Sequence, residues 1–249
     1  MALKEHFENS GNWLFRWRSY LPLLLIIFVV GTILTNAPMD REEEENKNET
    51  LIEITGLFLS FLGLGVRIIV VGYKPRRTSG GNTTDQVADQ LNTTGMYSIV
   101  RHPLYLGNFI IWFGITLLFE SWQTTALVSL IFFLYYERIA FAEEKFLRNR
   151  FGKRYVTWAD KTPAFMPRFR NWQSPELPFS LKKVIGKEYA GFFAIIVAFT
   201  AIEFLDDILT DQRLSIDSEW KVIFCIGLVI YISLRFLKRC TKLLDTPDR

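Results

Sequence analysis

Two short polar clusters stand directly against uncharged apolar runs, and their residue types suit the binding of ions. The first is Tyr97, Arg101, His102, Tyr105 and Gly107 in YSIVRHPLYLGNFIIWFG, where Pro103 opens the apolar run. Proline at the first helical turn costs nothing, because its missing N–H would lack a partner anyway. The second cluster is Arg138, Glu143 and Glu144 in YYERIAFAEEKFLRNRFG, which begins as membrane helix and ends as an amphipathic charged segment. Guanidinium and imidazole groups hold anions, and carboxylates hold cations. Ionisable side chains at the edge of a bilayer face a polar cavity or one another. Each cluster also has a plainer account. Arg101 and His102 would anchor a helix at the interface, and Glu144–Arg148 would be an i,i+4 pair contributing a few tenths of a kcal/mol. Neither explains why both signs of charge gather at one lip.

The elements that would position these groups are membrane helices. Of 249 residues, 49% are hydrophobic and 15% aromatic, yet 22% are charged, and the charges lie between the apolar runs. Such segregation marks an integral membrane protein. The net charge of +3 is too small to suggest a nucleic-acid partner. Cys225 and Cys240 give no disulfide framework, since on one helix they would lie roughly 22 Å apart. With only His6 and His102, and no cysteines at ligand spacing, no metal site is expected.

Hydropathy predicts an all-α bundle of about six transmembrane helices at residues 20–35, 51–73, 103–119, 121–136, 189–205 and 220–237. The third and fourth are separated by Glu120 and form a tight hairpin. The first reads as a retained helix and not a signal peptide, because Pro38 follows it closely and more spans come after. Basic residues concentrate at the N-terminus, in 74–101, in 145–187 and at the C-terminus, whereas 40–46, Glu120 and 206–219 are acidic. All four basic regions fall on one face of a six-helix arrangement, which places both termini in the cytoplasm. The glycosylation sequons at Asn48, Asn82 and Asn92 carry no weight, since two would face the cytoplasm. Three divisions follow: 1–50 with the first helix and an acidic outer loop, 51–180 as the core, and 181–249 with two further helices.

Residues 95–167, containing RHPLYLG and then EEKFLRNRFGKRY and TPAFMP, resemble the isoprenylcysteine carboxyl methyltransferases and the related phospholipid methyltransferases. Gly63 and Gly65 look like the glycine pair of the phospholipid enzymes, although a lone GxG in a membrane helix is more often a packing feature. The resemblance implies an S-adenosylmethionine-dependent membrane enzyme. It places His102, Tyr97, Gly107, Glu143, Glu144, Gly63 and Gly65 around the cofactor, the glutamates at its methionine end or sulfonium. Arg101, Tyr105 and Arg138 would serve the reaction itself. Arg138 sits about one residue from the family's expected arginine.

Methyl transfer from a sulfonium needs alignment and exclusion of water more than acid–base chemistry, and alignment contributes about 7–11 kcal/mol. The implied acceptor is a polar, anionic group on a lipid or lipidated substrate entering from the bilayer at the cytoplasmic face. The compartment would be the inner membrane in a bacterium or the endoplasmic reticulum in a eukaryote. Two other classes stay open. One is a sterol-type reductase using a nicotinamide cofactor, which usually carries an arginine–aspartate pattern where this chain has Glu143-Glu144. The other is a non-catalytic membrane scaffold.

Overall fold

The computed structural model describes residues 3–18, 31, 46–75, 78, 88–210 and 218–245, and the regular elements among them are all helical. They are α1 (Leu3–Trp17), α2 (Asn46–Tyr73), α3 (Met96–Ile99), α4 (Pro103–Leu117), α5 (Trp122–Phe151), α6 (Lys153–Ala159), α7 (Leu181–Thr210) and α8 (Ser218–Cys240). A 3-10 turn at Phe169–Asn171 lies between α6 and α7. Helices α2, α5, α7 and α8 are long and apolar enough to cross a membrane. The first expected span, 20–35, falls outside the described residues except for Gly31.

The expected third span is α4, with only 15 residues, about 22 Å of helix and less than the hydrocarbon thickness. It leans on α2, through small residues that let the backbones touch. A Cβ at Gly63 would meet the Gly107 carbonyl oxygen at 2.6 Å, and one at Gly114 would meet that of Gly56 at 2.4 Å. Such small-residue seams are how helices associate where lipid supplies no hydrophobic drive. Ser60 on α2 donates to the Ile111 carbonyl of α4 at the same seam.

Helix α5 extends 15 residues past the end expected from hydropathy, to Phe151. Its 30 residues measure about 45 Å, so its final turns leave a core about 30 Å thick. Gly152 then takes φ +52° and turns the chain into α6, a left-handed conformation that glycine adopts without steric cost. Helix α7 likewise begins eight residues before its expected start, at Leu181. Its Glu188 accepts two hydrogen bonds from Arg67 of α2, at 2.8 and 2.9 Å. Hydropathy stops at charges; the helices continue because those charges find partners.

Helix α1 carries no apolar run that hydropathy would detect. It lies along the middle turns of α5, where Gly11 passes the Arg138 carbonyl too closely for any Cβ. Phe15 is buried among Tyr105, Phe132, Tyr136 and Ile139. Lys145 pairs with Glu8.

Candidate functional site

His102 is the residue just before α4, and its ring is nearly fully buried between two carboxylates from α5. Nε2 stands 2.9 Å from Glu144 Oε1, and Nδ1 stands 3.7 Å from Glu143 Oε2. Adjacent positions on a helix diverge by roughly 100°, yet both carboxylates reach the one imidazole because the ring sits across the α5 surface between them. Burial works against an imidazolium here. The close carboxylates of Glu143 and Glu144 outweigh it and raise the His102 pKa from its ordinary value. Tyr105, one turn into α4, stacks on the His102 ring at 5.4 Å and donates its hydroxyl to Glu143 Oε2 at 2.8 Å. Arg101 donates from a terminal nitrogen to Glu144 Oε2 at 3.1 Å.

Apart from Tyr105, these groups line a cleft that opens in part to solvent. Tyr97, Arg101, His102, Glu143 and Glu144 line it, together with Leu147. The segment 90–92 and Tyr155 and Trp158 of α6 complete its lining. That segment is fastened by Arg150, whose Nε donates to the Ala88 carbonyl, and by the packing of Ala88 and Leu91 on Leu147 and Tyr155. Trp158 donates to the Tyr97 carbonyl at 3.0 Å and so closes the end of the cleft.

The phenols of Tyr97 and Tyr155 are both pushed up, by burial first and then by Glu143 and Glu144 respectively. They stay protonated and offer O–H donors. Tyr155 lies near Glu144 and Arg101, and the buried Nε of Arg101 makes no hydrogen bond among the described residues. An uncompensated guanidinium N–H beside a carboxylate pair is what a ligand carrying both an anionic and a cationic group completes. Lys74, at the end of α2, is buried close enough to Glu143 to feel its charge; burial lowers its pKa to about 7, against the pull of Glu143.

Of the residues singled out in the sequence, Tyr97, Arg101, His102, Glu143 and Glu144 meet in this cleft, and Tyr105 supports it from behind. The others lie elsewhere. Gly63 and Gly107 face each other in the α2–α4 seam, and Gly65 has open space beside it. Arg138 lies over the Phe7 ring of α1 at 3.5 Å, on the side of α5 that α1 covers. Its one-residue offset rotates it away from the glutamates. Sequence reasoning missed Tyr155 and Trp158, although both lie in the same charged stretch that carried the resemblance. It also missed Arg18, which the end of α1 brings close enough to Glu143 to act on its charge. The spacing of Phe7, Gly11 and Phe15 was the available signal for that helix.

Residues 53–154 match the phospholipid methyltransferase family model. Similar proteins include a cobalt-zinc-cadmium resistance protein of Cupriavidus metallidurans, 34% identical over 46% of this chain and 51% of that protein. A nickel-cobalt-cadmium resistance protein of Alcaligenes xylosoxydans is 28% identical over 64% of this chain and 66% of its own length. The protein-S-isoprenylcysteine O-methyltransferase of Schizosaccharomyces pombe is 35% identical over 31% of this chain and 33% of its own. The chain thus spans about half to two thirds of the resistance proteins and a third of the yeast enzyme. No solved structure matches the chain.

Proposed function

We propose that this protein is an S-adenosylmethionine-dependent membrane methyltransferase acting on a polar, anionic group of a lipid or lipidated acceptor. The observation that carries the reading is the cleft where Glu143 and Glu144 meet Arg101 and His102, with the Arg101 Nε buried and unpaired. The cofactor, when bound, supplies an activated methyl group on a sulfonium. Glu144, the more exposed of the two carboxylates, receives the ammonium of its methionine end. Arg101 receives the carboxylate of that end through its free N–H, and His102 holds the two glutamates in place. The Tyr97 ring offers a face to the sulfonium. Tyr105 does not line the cleft; it fixes Glu143 and the plane of the imidazole.

An anionic acceptor needs no general base, which fits a site whose buried carboxylates are all engaged as hydrogen-bond acceptors. The core would comprise residues 51–180, with 1–50 and 181–249 flanking it. The basic segments 74–101 and 145–187 and both termini would face the cytoplasm, where a water-soluble cofactor reaches the cleft from outside the bilayer. Titration of the detergent-solubilised protein with S-adenosylmethionine tests the reading, with NADPH as the competing ligand. Binding of NADPH alone would replace it with a reductase, and binding of neither would leave a scaffold. Lipid mass spectrometry of cells with and without the gene then identifies the acceptor.

A further inference from the structure

Between α6 and α7 the chain crosses the site as an extended strap, and its outward side chains are of an unusual kind. Met166 is 82% exposed, Phe169 75% and Trp172 49%. Between them stand Arg168 and Arg170, both exposed and without an ion-pair partner among the described residues. Residues 161–175 carry three cations and no carboxylate. Large apolar side chains interleaved with arginines do not suit open water, and they match the chemistry of an anionic lipid surface.

The position of the strap agrees with that partner. Phe165 packs edge-on against Phe133 at 5.6 Å. Phe133 is exposed on α5, as are Leu127, Leu130 and Leu134, a face that can only meet lipid if α5 spans the bilayer. The outward side chains of the strap therefore continue a lipid-facing surface.

The inner side of the strap is bonded to the site. The N–H groups of Arg101 and His102 donate to the carbonyls of Pro163 and Ala164, and the Arg168 N–H donates to the Ile99 carbonyl. Phe165 also lies against the His102 ring at 5.7 Å.

We propose that residues 163–173 are a lipid-binding strap, with Met166 and Phe169 in the acyl boundary and Arg168 and Arg170 on the phosphates of anionic phospholipids. Seating the strap on lipid holds the backbone of Arg101 and His102, and with it one wall of the cleft. The inference does not depend on methyl transfer, because its test reads depth in the bilayer. Met166→Cys and Phe169→Cys, each in the full chain with Cys225 and Cys240 changed to serine, are labelled with bimane and reconstituted in phosphatidylcholine–phosphatidylglycerol vesicles. Ile226→Cys, on the exposed face of α8, serves as the lipid-facing reference.

Emission at 166 and 169 should be lost to a doxyl-lipid quencher and spared by iodide. Removing phosphatidylglycerol, or introducing Arg168→Glu or Arg170→Glu, should shift the balance toward iodide by about fivefold per arginine. Quenching by iodide alone at both positions would overturn the proposal. Lipid quenching that ignores anionic lipid would overturn the role given to the two arginines.

Discussion

Arg67 of α2 and Glu188 of α7 form a two-pronged ion pair, and the third arm of the arginine donates to Asn108 of α4. Asn108 in turn donates to the Tyr136 hydroxyl of α5, and Tyr136 lies 4.7 Å from the ring of Tyr105. A polar chain therefore ties a flanking helix to the tyrosine that supports Glu143. Removing one member of a buried pair leaves an uncompensated charge, at a cost of about 3–5 kcal/mol, whereas replacing both by apolar groups can be neutral. Glu188→Ala should lower the thermal midpoint in detergent sharply, and Arg67→Met with Glu188→Leu should recover most of the loss. Equal loss in single and double variants would show that the pair itself stabilises the fold.

Stability should depend on pH through His102. Its folded pKa is raised above 6.5 by two carboxylates that outweigh burial. The stabilisation is therefore complete below about pH 6.5 and is lost as pH rises through the higher folded value. His102→Gln should flatten the thermal midpoint across that interval, and the difference between the two proteins should grow toward low pH. A constant offset would mean that the His102 pKa is the same in the folded and unfolded protein.

The two arginines should separate. Arg101→Lys keeps a charge beside Glu144 but loses the planar fork, so S-adenosylmethionine affinity or turnover should fall by about ten- to hundredfold, the worth of one charge-assisted hydrogen bond. Arg138→Lys should leave both unchanged and loosen only α1, where Arg138 covers Phe7. Steady-state kinetics with direct cofactor binding distinguishes loss at the cofactor from loss at the acceptor.

Glu144→Gln should weaken cofactor binding with little effect on the thermal midpoint, because that carboxylate is partly exposed to the cleft. His102→Ala should lower both, since the ring is buried and held by two partners. A Glu144→Gln protein that binds the cofactor normally would remove Glu144 from the site.

Gly63→Ala should destabilise by about 1–3 kcal/mol, as overpacking does, because its Cβ would collide with the Gly107 backbone. Gly65→Ala, with open space beside it, should be tolerated. Cofactor affinity lost in Gly65→Ala without loss of stability would return that glycine to the binding site.

The sequence alone determined that the chain is an all-helical membrane protein, because bilayer thickness imposes a length on every apolar run and few patterns satisfy it. It also singled out Arg101, His102, Glu143 and Glu144, because charges beside such runs need partners. The tertiary structure decided which partner each one takes. Arg138 and Glu144 are six residues apart on one helix, yet one faces α1 and the other the cleft, and only the packing of α1 assigns the faces. Gly63 and Gly107 became a seam for the same reason: a glycine admits a ligand or a helix equally well, and the nearer backbone occupied the space. Hydropathy placed the end of α5 too early and the start of α7 too late because it scores Glu143 and Glu188 as exposed charges. Their partners, His102 and Arg67, stand 41 and 121 positions away in the chain, and a contact at that separation exists only once the helices have packed.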